Sequence, residues 1–296
     1  MLMVIDIGGT SIKYGSYTKE GNQLSHNQIP TPLKDYDTFL TTIYRLFQSA
    51  SDIEGIAISM PGLLDTDKGI AVTGGTLEFN AGHEIRKDIE ALCHVPVSIQ
   101  NDGKCAVLAE MWKGSLKGKE NGIVFLIGTG IGGGIMIHKE LYVGSHAFAG
   151  EFSFAMQGTQ TTMEHWMGTY GSVNAILKEY QKIANIQYDI DGKYFFKKVC
   201  EHDERAIQVL HDYCKAIAIQ LYNLQAFFDP DIIAIGGGIS AQEAILDTLK
   251  EELQNLYKQV PYAIPKVNIK RCHFGNDTNL LGALYQYLLQ TNQLFL

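Results

Sequence analysis

Short β-branched and apolar runs alternate with helix-spaced apolar positions through the first hundred residues. Residues 3–7 and 11–17 read as strands flanking the turn Gly8-Gly9-Thr10, and a second turn falls at Lys19-Glu20-Gly21-Asn22. Residues 38–49 carry Phe39, Ile43, Leu46 and Phe47 on one face, which predicts a helix. A β-branched run at 53–59 ends at Pro61-Gly62, residues 85–92 read as helical, and 95–100 read as a strand. After Asn101-Asp102, residues 104–113 look helical again. This alternation implies an α/β lobe.

Residues 114–122, rich in glycine and charge, are the best linker candidate. A second lobe then opens with a strand at 123–127, followed by a glycine-rich turn and a hairpin over 135–143. Ile207, Leu210, Tyr213, Ile217, Leu221, Leu224 and Phe228 hold helical spacing over about six turns. That helix stops at Asp229-Pro230, and the strand 232–235 leads into Gly236-Gly237-Gly238. Ser240 with Glu243 three residues on reads as a capping box. Residues 280–289 are apolar on at least two sides. The expected division is an N-terminal α/β lobe over 1–117 and a C-terminal α/β lobe over 118–279, with a C-terminal helix, 280–296, joining the first.

The glycine turns carry the chemistry. Glycine lets a backbone approach a bulky anion, and successive N–H groups at such turns cradle phosphate. Two such turns, at 8–10 and 128–134, suggest two lobes holding one polyphosphate, as in an ATP-using enzyme. Gly128, Gly130 and Gly133 match G-x-G-x-x-G, but the dinucleotide fingerprint needs a helix next, and here a strand follows. No G-x-x-x-x-G-K-[ST] occurs. The net charge of -8 disfavours general binding to nucleic acid or to an anionic membrane. The five cysteines stand singly, without metal or disulfide spacing, which fits a reducing, cytoplasmic compartment. No stretch approaches about 20 apolar residues.

Asp6-x-Gly8-Gly9-Thr10-x-x-Lys13, Pro61-Gly62, Asn101-Asp102, residues 127–134, Ala149-Gly150-Glu151 and Gly236-Gly237-Gly238 together resemble the ROK-family sugar kinases, over nearly the whole chain. The resemblance implies an actin-like ATPase fold: two α/β lobes with ribonuclease-H-like cores and a cleft between them. It implies that Gly8, Gly9, Thr10 and Lys13, with Gly128, Thr129 and Gly130, bind ATP, and that Asp6 sits near Mg²⁺, directly or through water. Gly236, Gly237 and Gly238 would lie against adenosine or its ribose. Asp102, at the head of a helix, occupies the general-base position. Gly62, Asn101, Asp102, Glu151 and Glu164 match sugar contacts. Taken by itself, Asp102 also fits an ordinary helix N-cap. Family resemblance favours a homodimer.

Many members carry Gly-His two and three residues after the glutamate, then a zinc-binding cysteine cluster. Here those positions are Ser153 and Phe154, and residues 152–199 hold no cysteine, so no zinc site is expected. The chain is therefore most similar to zinc-free members, which include β-glucoside kinases acting on O6; glucose and N-acetylmannosamine stay open as substrates. The family also contains sugar-sensing transcriptional regulators with an N-terminal helix-turn-helix domain, for which five residues before Asp6 leave no room. A dinucleotide-dependent oxidoreductase is disfavoured by the strand after Gly134.

Overall fold

The structure, a computed structural model, describes residues 1–275 and 277–293. The last three residues of the expected C-terminal helix, 294–296, lie outside them. The chain forms two compact units. One holds residues 1–114, 143–149 and the chain from Asp277 on; the other holds 115–142 and the chain from Gly150 to the residues before Asp277.

The first unit is built on a five-stranded sheet. Its strands are β1 (Leu2–Ile7), β2 (Ser11–Tyr17), β3 (Asn27–Pro30), β4 (Gly55–Met60) and, past the small hairpin of β5 (Leu64–Asp65) and β6 (Ile70–Ala71), β7 (Val97–Asn101). The spatial order is β3-β2-β1-β4-β7. The first three are antiparallel, whereas β1, β4 and β7 run parallel. Strand β4 is buried along its whole length, as a central parallel strand must be. Helix α1 (Tyr36–Gln48) puts Phe39, Ile43 and Leu46 into the core, and Asp35 caps it by accepting the Thr38 N–H at 2.8 Å. Helix α2 (Ile85–Cys93) lies beside α1 and adds Ile85 and Ile89 to the same core. Helix α3 (Asp102–Lys113) and the C-terminal helix (Thr278–Gln290) pack together, and the latter also covers β1, β4 and β7.

The second unit repeats the plan. Strands β8 (Gly122–Ile127), β9 (Ile131–Ile137), β10 (Glu140–Tyr142), β11 (Ile232–Gly236) and β12 (Ile269–Arg271) lie in the order β10-β9-β8-β11-β12. Again the first three are antiparallel and the last three parallel. His138 and Lys139, both at positive φ, make the tight turn of the β9–β10 hairpin. The helices are α4 (Met167–Tyr170), α5 (Val173–Ala184), α6 (Gly192–Cys200), α7 (Glu204–Phe228) and α8 (Glu243–Lys258). The long α7 is capped by Asp203 and ends at Asp229 in the left-handed conformation. Its Leu210, Ile217 and Leu221 form one core with Phe125, Ile233, Ile235 and Leu249.

One expectation is corrected. Ser240 and Glu243 form no capping box: residues Gly238–Ala241 make a 3-10 turn, α8 starts at Glu243, and the Ser240 hydroxyl donates instead to the Gly237 carbonyl at 2.8 Å. The competing local bond wins because serine hydroxyls readily pair with nearby carbonyls. The linker candidate, 114–122, contains the boundary between the two units, which falls between Gly114 and Ser115. Leu116 is 1% exposed and sits where a side chain on Gly122 would otherwise go, so apolar burial anchors the segment in the second unit.

Candidate active site

In an open parallel sheet the place for ligands is outside the carboxyl ends of the strands, where backbone groups and loop side chains converge. The sequence-predicted residues of the first unit fall there. Asp6 is one residue from the end of β1, Gly62 two residues past β4, and Asn101 closes β7. The register sets Asp6 beside Ser59, Ser59 beside Gln100, and Met60 beside Asn101. With strands roughly 4.8 Å apart, Asp6 and the Asn101-Asp102 corner stand roughly 10 Å apart across the sheet. That gap is wide enough for a phosphoryl group and the hydroxyl that receives it.

Asp6 is held closely. Its Oδ1 accepts from the Ser59 hydroxyl at 2.8 Å and from the Asn279 amide at 3.2 Å. Burial raises its pKa above the ordinary carboxylate value, while these two bonds and the charge of Lys13 act in the opposite direction. Lys13 lies directly across the β1–β2 pair from Asp6, with its ammonium 3.8 Å from Asp277. The Gly8-Gly9-Thr10 turn is closed by the Gly8 N–H on the Ser11 carbonyl at 3.0 Å. Thr31 clamps it from the side: its hydroxyl donates to the Gly8 carbonyl at 2.6 Å and its N–H to the Thr10 carbonyl at 3.1 Å.

Asn101 does the capping at the head of α3. Its Oδ1 accepts the Lys104 N–H at 3.1 Å, and its amide donates to the Gly62 carbonyl at 3.0 Å. Asp102 is therefore the first helical residue and not the cap. One of its carboxylate oxygens accepts the Gly103 N–H at 2.8 Å. The carboxylate thus stands at the positive end of the helix dipole, which favours its ionised form. Gly62 has φ +104, and a side chain there would strike the Thr73 carbonyl. Cys105, fully buried in α3, has its thiol pKa pushed up by burial and by the charge of Asp6, while a hydrogen bond with Ser59 acts in the opposite direction.

The second unit presents the equivalent corner. Gly128, Thr129 and Gly130 join β8 to β9 as Gly8-Gly9-Thr10 joins β1 to β2, closed by the Gly128 N–H on the Gly130 carbonyl at 2.9 Å. The Gly128 carbonyl in turn accepts the Val173 N–H at the head of α5. The glycines here divide into two kinds. Gly237 is at φ +84 and a side chain would collide with the Ile127 backbone, so the fold itself demands glycine. Among the described residues, a side chain on Gly130 or Gly238 would meet no neighbour within 4 Å, and one on Gly128 would meet only one, at 3.8 Å. None of the described residues fills the space next to these backbone positions, which suits a bulky group lying against them. Glu151, half-buried, precedes the short 3-10 turn Phe152–Phe154, whereas Glu164 is exposed on the turn Met163–His165.

Sequence reasoning missed Thr31, Ser59 and Asn279. Ser59 could have been found by aligning β1 with β4 as parallel neighbours. Thr31 and Asn279 reach the site from distant chain segments and leave no local signal.

Two α/β units with the same strand order, each bearing a glycine turn between its first two strands, define an actin-like ATPase fold. The chain belongs to the ROK family, whose model matches residues 2–290. It is 28% identical to the β-glucoside kinase of Listeria monocytogenes serovar 1/2a, over 99% of each chain. It is 28% identical to the N-acetyl-D-glucosamine kinase of Vibrio atlanticus (strain LGP32), covering 90% of this chain and 91% of that one. Among solved structures it resembles a ROK family protein from Streptococcus pneumoniae TIGR4 in complex with sucrose, with a TM-score of 0.91, 26% identity and 99% of each chain covered.

Proposed function

We propose that this chain is an ATP-dependent sugar kinase that transfers the γ-phosphoryl group to a hydroxyl of a hexose or β-glucoside, O6 being the expected acceptor. The observation that carries the mechanism is the shared position of Asp6, Gly62, Asn101 and Asp102 at the carboxyl ends of β1, β4 and β7. Whole-length similarity to sugar kinases supports the substrate class, and similarity to a β-glucoside kinase supports the subtype.

In this reading Asp102 accepts the proton of the sugar hydroxyl as its oxygen bonds to the γ-phosphorus and the bond from that phosphorus to the bridging oxygen of ADP breaks. A carboxylate at a helix N-terminus is a modest base. The transition state of phosphoryl transfer is loose, however, so orienting the hydroxyl is the larger share of its work. Asn101 fixes that orientation by tying α3 to the Gly62 loop, and its second amide proton remains for a sugar hydroxyl. Glu151 and Glu164 supply further acceptors for hydroxyls. Backbone N–H groups of Gly8, Gly9 and Thr10, with Lys13, and of Gly128, Thr129 and Gly130 receive the phosphates. The open face of Gly238, beside Gly236 and Gly237, suits the nucleoside.

Asp6 fits Mg²⁺, an ion that characteristically takes one or two carboxylates, phosphate oxygens and several waters. Ser59 and Asn279 both hold Oδ1, leaving the other oxygen as the donor. When bound, Mg²⁺ neutralises phosphate charge. A homodimer in a reducing cytoplasmic compartment completes the proposal, in keeping with five free cysteines.

The test is ATP consumption with Mg²⁺ across glucose, N-acetylmannosamine, N-acetylglucosamine, cellobiose and gentiobiose. Turnover is expected with at least one sugar and greatest with a β-linked disaccharide. No sugar-dependent ADP release from any of them, with sugar-dependent operator binding instead, would replace the kinase by a regulator.

A further inference from the structure

Granting the sugar-kinase reading, we propose that Phe154 and Trp166 form an aromatic wall that receives the second ring of a β-linked glucoside, and so set the preference for disaccharide over glucose. The two rings lie 5.5 Å apart at 52°. They sit on two segments zipped together backbone to backbone. The Met167 N–H donates to the Ala155 carbonyl at 2.7 Å, the Gln157 N–H to the His165 carbonyl at 3.1 Å, and Met156 bridges Trp166. Each segment also carries one of the acidic sugar candidates. Glu151 opens the turn that ends at Phe154, whose N–H donates to the Glu151 carbonyl at 3.2 Å. Glu164 is two residues before Trp166. Each aromatic residue therefore shares a turn with an acidic residue suited to hydroxyls.

Such an arrangement matches the two-sided chemistry of a pyranose. Its rim of hydroxyls takes charged acceptors, and its C–H face takes the electron-rich face of an aromatic ring. Phe154 is 49% exposed, and the neighbouring Met163 and Met156 are 68% and 45% exposed. These turns thus carry large, partly exposed apolar side chains close together. Trp166 adds a donor: its indole N–H is buried with no acceptor among the described residues. A hydroxyl, or a water carried by one, would relieve that cost. The hydroxyl of Ser153, between Phe152 and Phe154, donates to the Ile131 carbonyl, so the turn that presents Phe154 is fixed to β9.

The chain's only other tryptophan, Trp112, stacks on Tyr285 at 5.1 Å, and Trp112→Phe keeps an aromatic ring there. In that background Trp166 is the sole indole. Titration with gentiobiose should change its emission at concentrations where glucose leaves it unaltered. In parallel, Phe154→Ala should lower the ratio of kcat/KM for gentiobiose over glucose about tenfold, the effect of losing one stacking contact. Phe154→Tyr should preserve the ratio. A ratio unmoved by Phe154→Ala in a folded protein, or identical emission curves for the two sugars, would overturn the aromatic wall while leaving the kinase reading intact. Absence of turnover with every sugar in the parent chain would instead remove the kinase reading on which the wall depends.

Discussion

Replacing Gly130 by alanine separates what the backbone requires from what a ligand requires. A Cβ there meets no atom of the described residues within 4 Å, and the residue is outside the left-handed region, so the folded chain tolerates the methyl. Reduced freedom of the unfolded chain then contributes about 0.4–1 kcal/mol of stability. In a domain of this size that raises Tm by about 1–4 °C. A phosphate oxygen held by N–H groups of the turn must come within about 3 Å of the backbone, into the space the methyl takes. Loss of one charged hydrogen bond, about 1.5–3 kcal/mol, raises the KM for ATP about 10- to 150-fold. Gly237→Ala is the contrast. Its φ of +84 and the collision with Ile127 destabilise the fold by more than about 1 kcal/mol. Thermal unfolding followed by circular dichroism, with steady-state kinetics in ATP, reads both effects. A Gly130→Ala protein that melts several degrees lower, or one whose KM for ATP stays within twofold, would refute the reasoning.

Three further outcomes follow from the first unit and the thiols. Asn101→Ala removes the cap of α3 and the tether to Gly62, costing about 1 kcal/mol for the cap and about 0.5–1.5 for the second bond, and it should lower kcat as well; an unchanged urea midpoint would contradict this. Burial raises the pKa of Asp6, so the folded state binds its proton more tightly than the unfolded chain does, and stability is lost as pH rises from the unfolded value of 3.8 through the raised folded one. Asp6→Asn should accordingly gain stability relative to the parent between pH 4 and pH 7 in chelator while losing activity, and a variant less stable by the same amount at both pH values would show the account of burial to be wrong. Of the five cysteines only Cys200 is exposed, so a thiol reagent should titrate one group quickly in the native protein, whereas two or more fast thiols would mean the cores are not packed as described.

The parts of the fold legible in the sequence were those whose signal is local. Strands β1, β4, β8 and β11 are largely apolar runs, interrupted by Asp6 in β1 and Ser59 in β4, because both of their faces are mostly buried, and α7 is long enough for its spacing to be unmistakable. Strand β3 escaped because Asn27, Gln28 and Pro30 sit on a solvent-facing edge and need no apolar pattern. The glycine turns and the Asn101-Asp102 pair stood out, but their division of labour did not. Only the structure assigns the cap to Asn101 and leaves Asp102 at the first helical position, since either residue type caps helices. Likewise Gly237 and Gly238 read alike in sequence, yet one is required by backbone conformation and the other faces open space. Long-range partners such as Asn279 on Asp6 depend on how the C-terminal helix returns to β1, which no short window of sequence contains.

The most direct test of the central claim is the turnover of Asp102→Asn with ATP, Mg²⁺ and whichever sugar the parent phosphorylates best. The side chains are nearly the same size and Asn101 keeps the cap, so Tm should hold while kcat falls at least about 10²-fold, the scale of lost proton acceptance. A folded Asp102→Asn protein that phosphorylates the sugar at near-parental rate would contradict it.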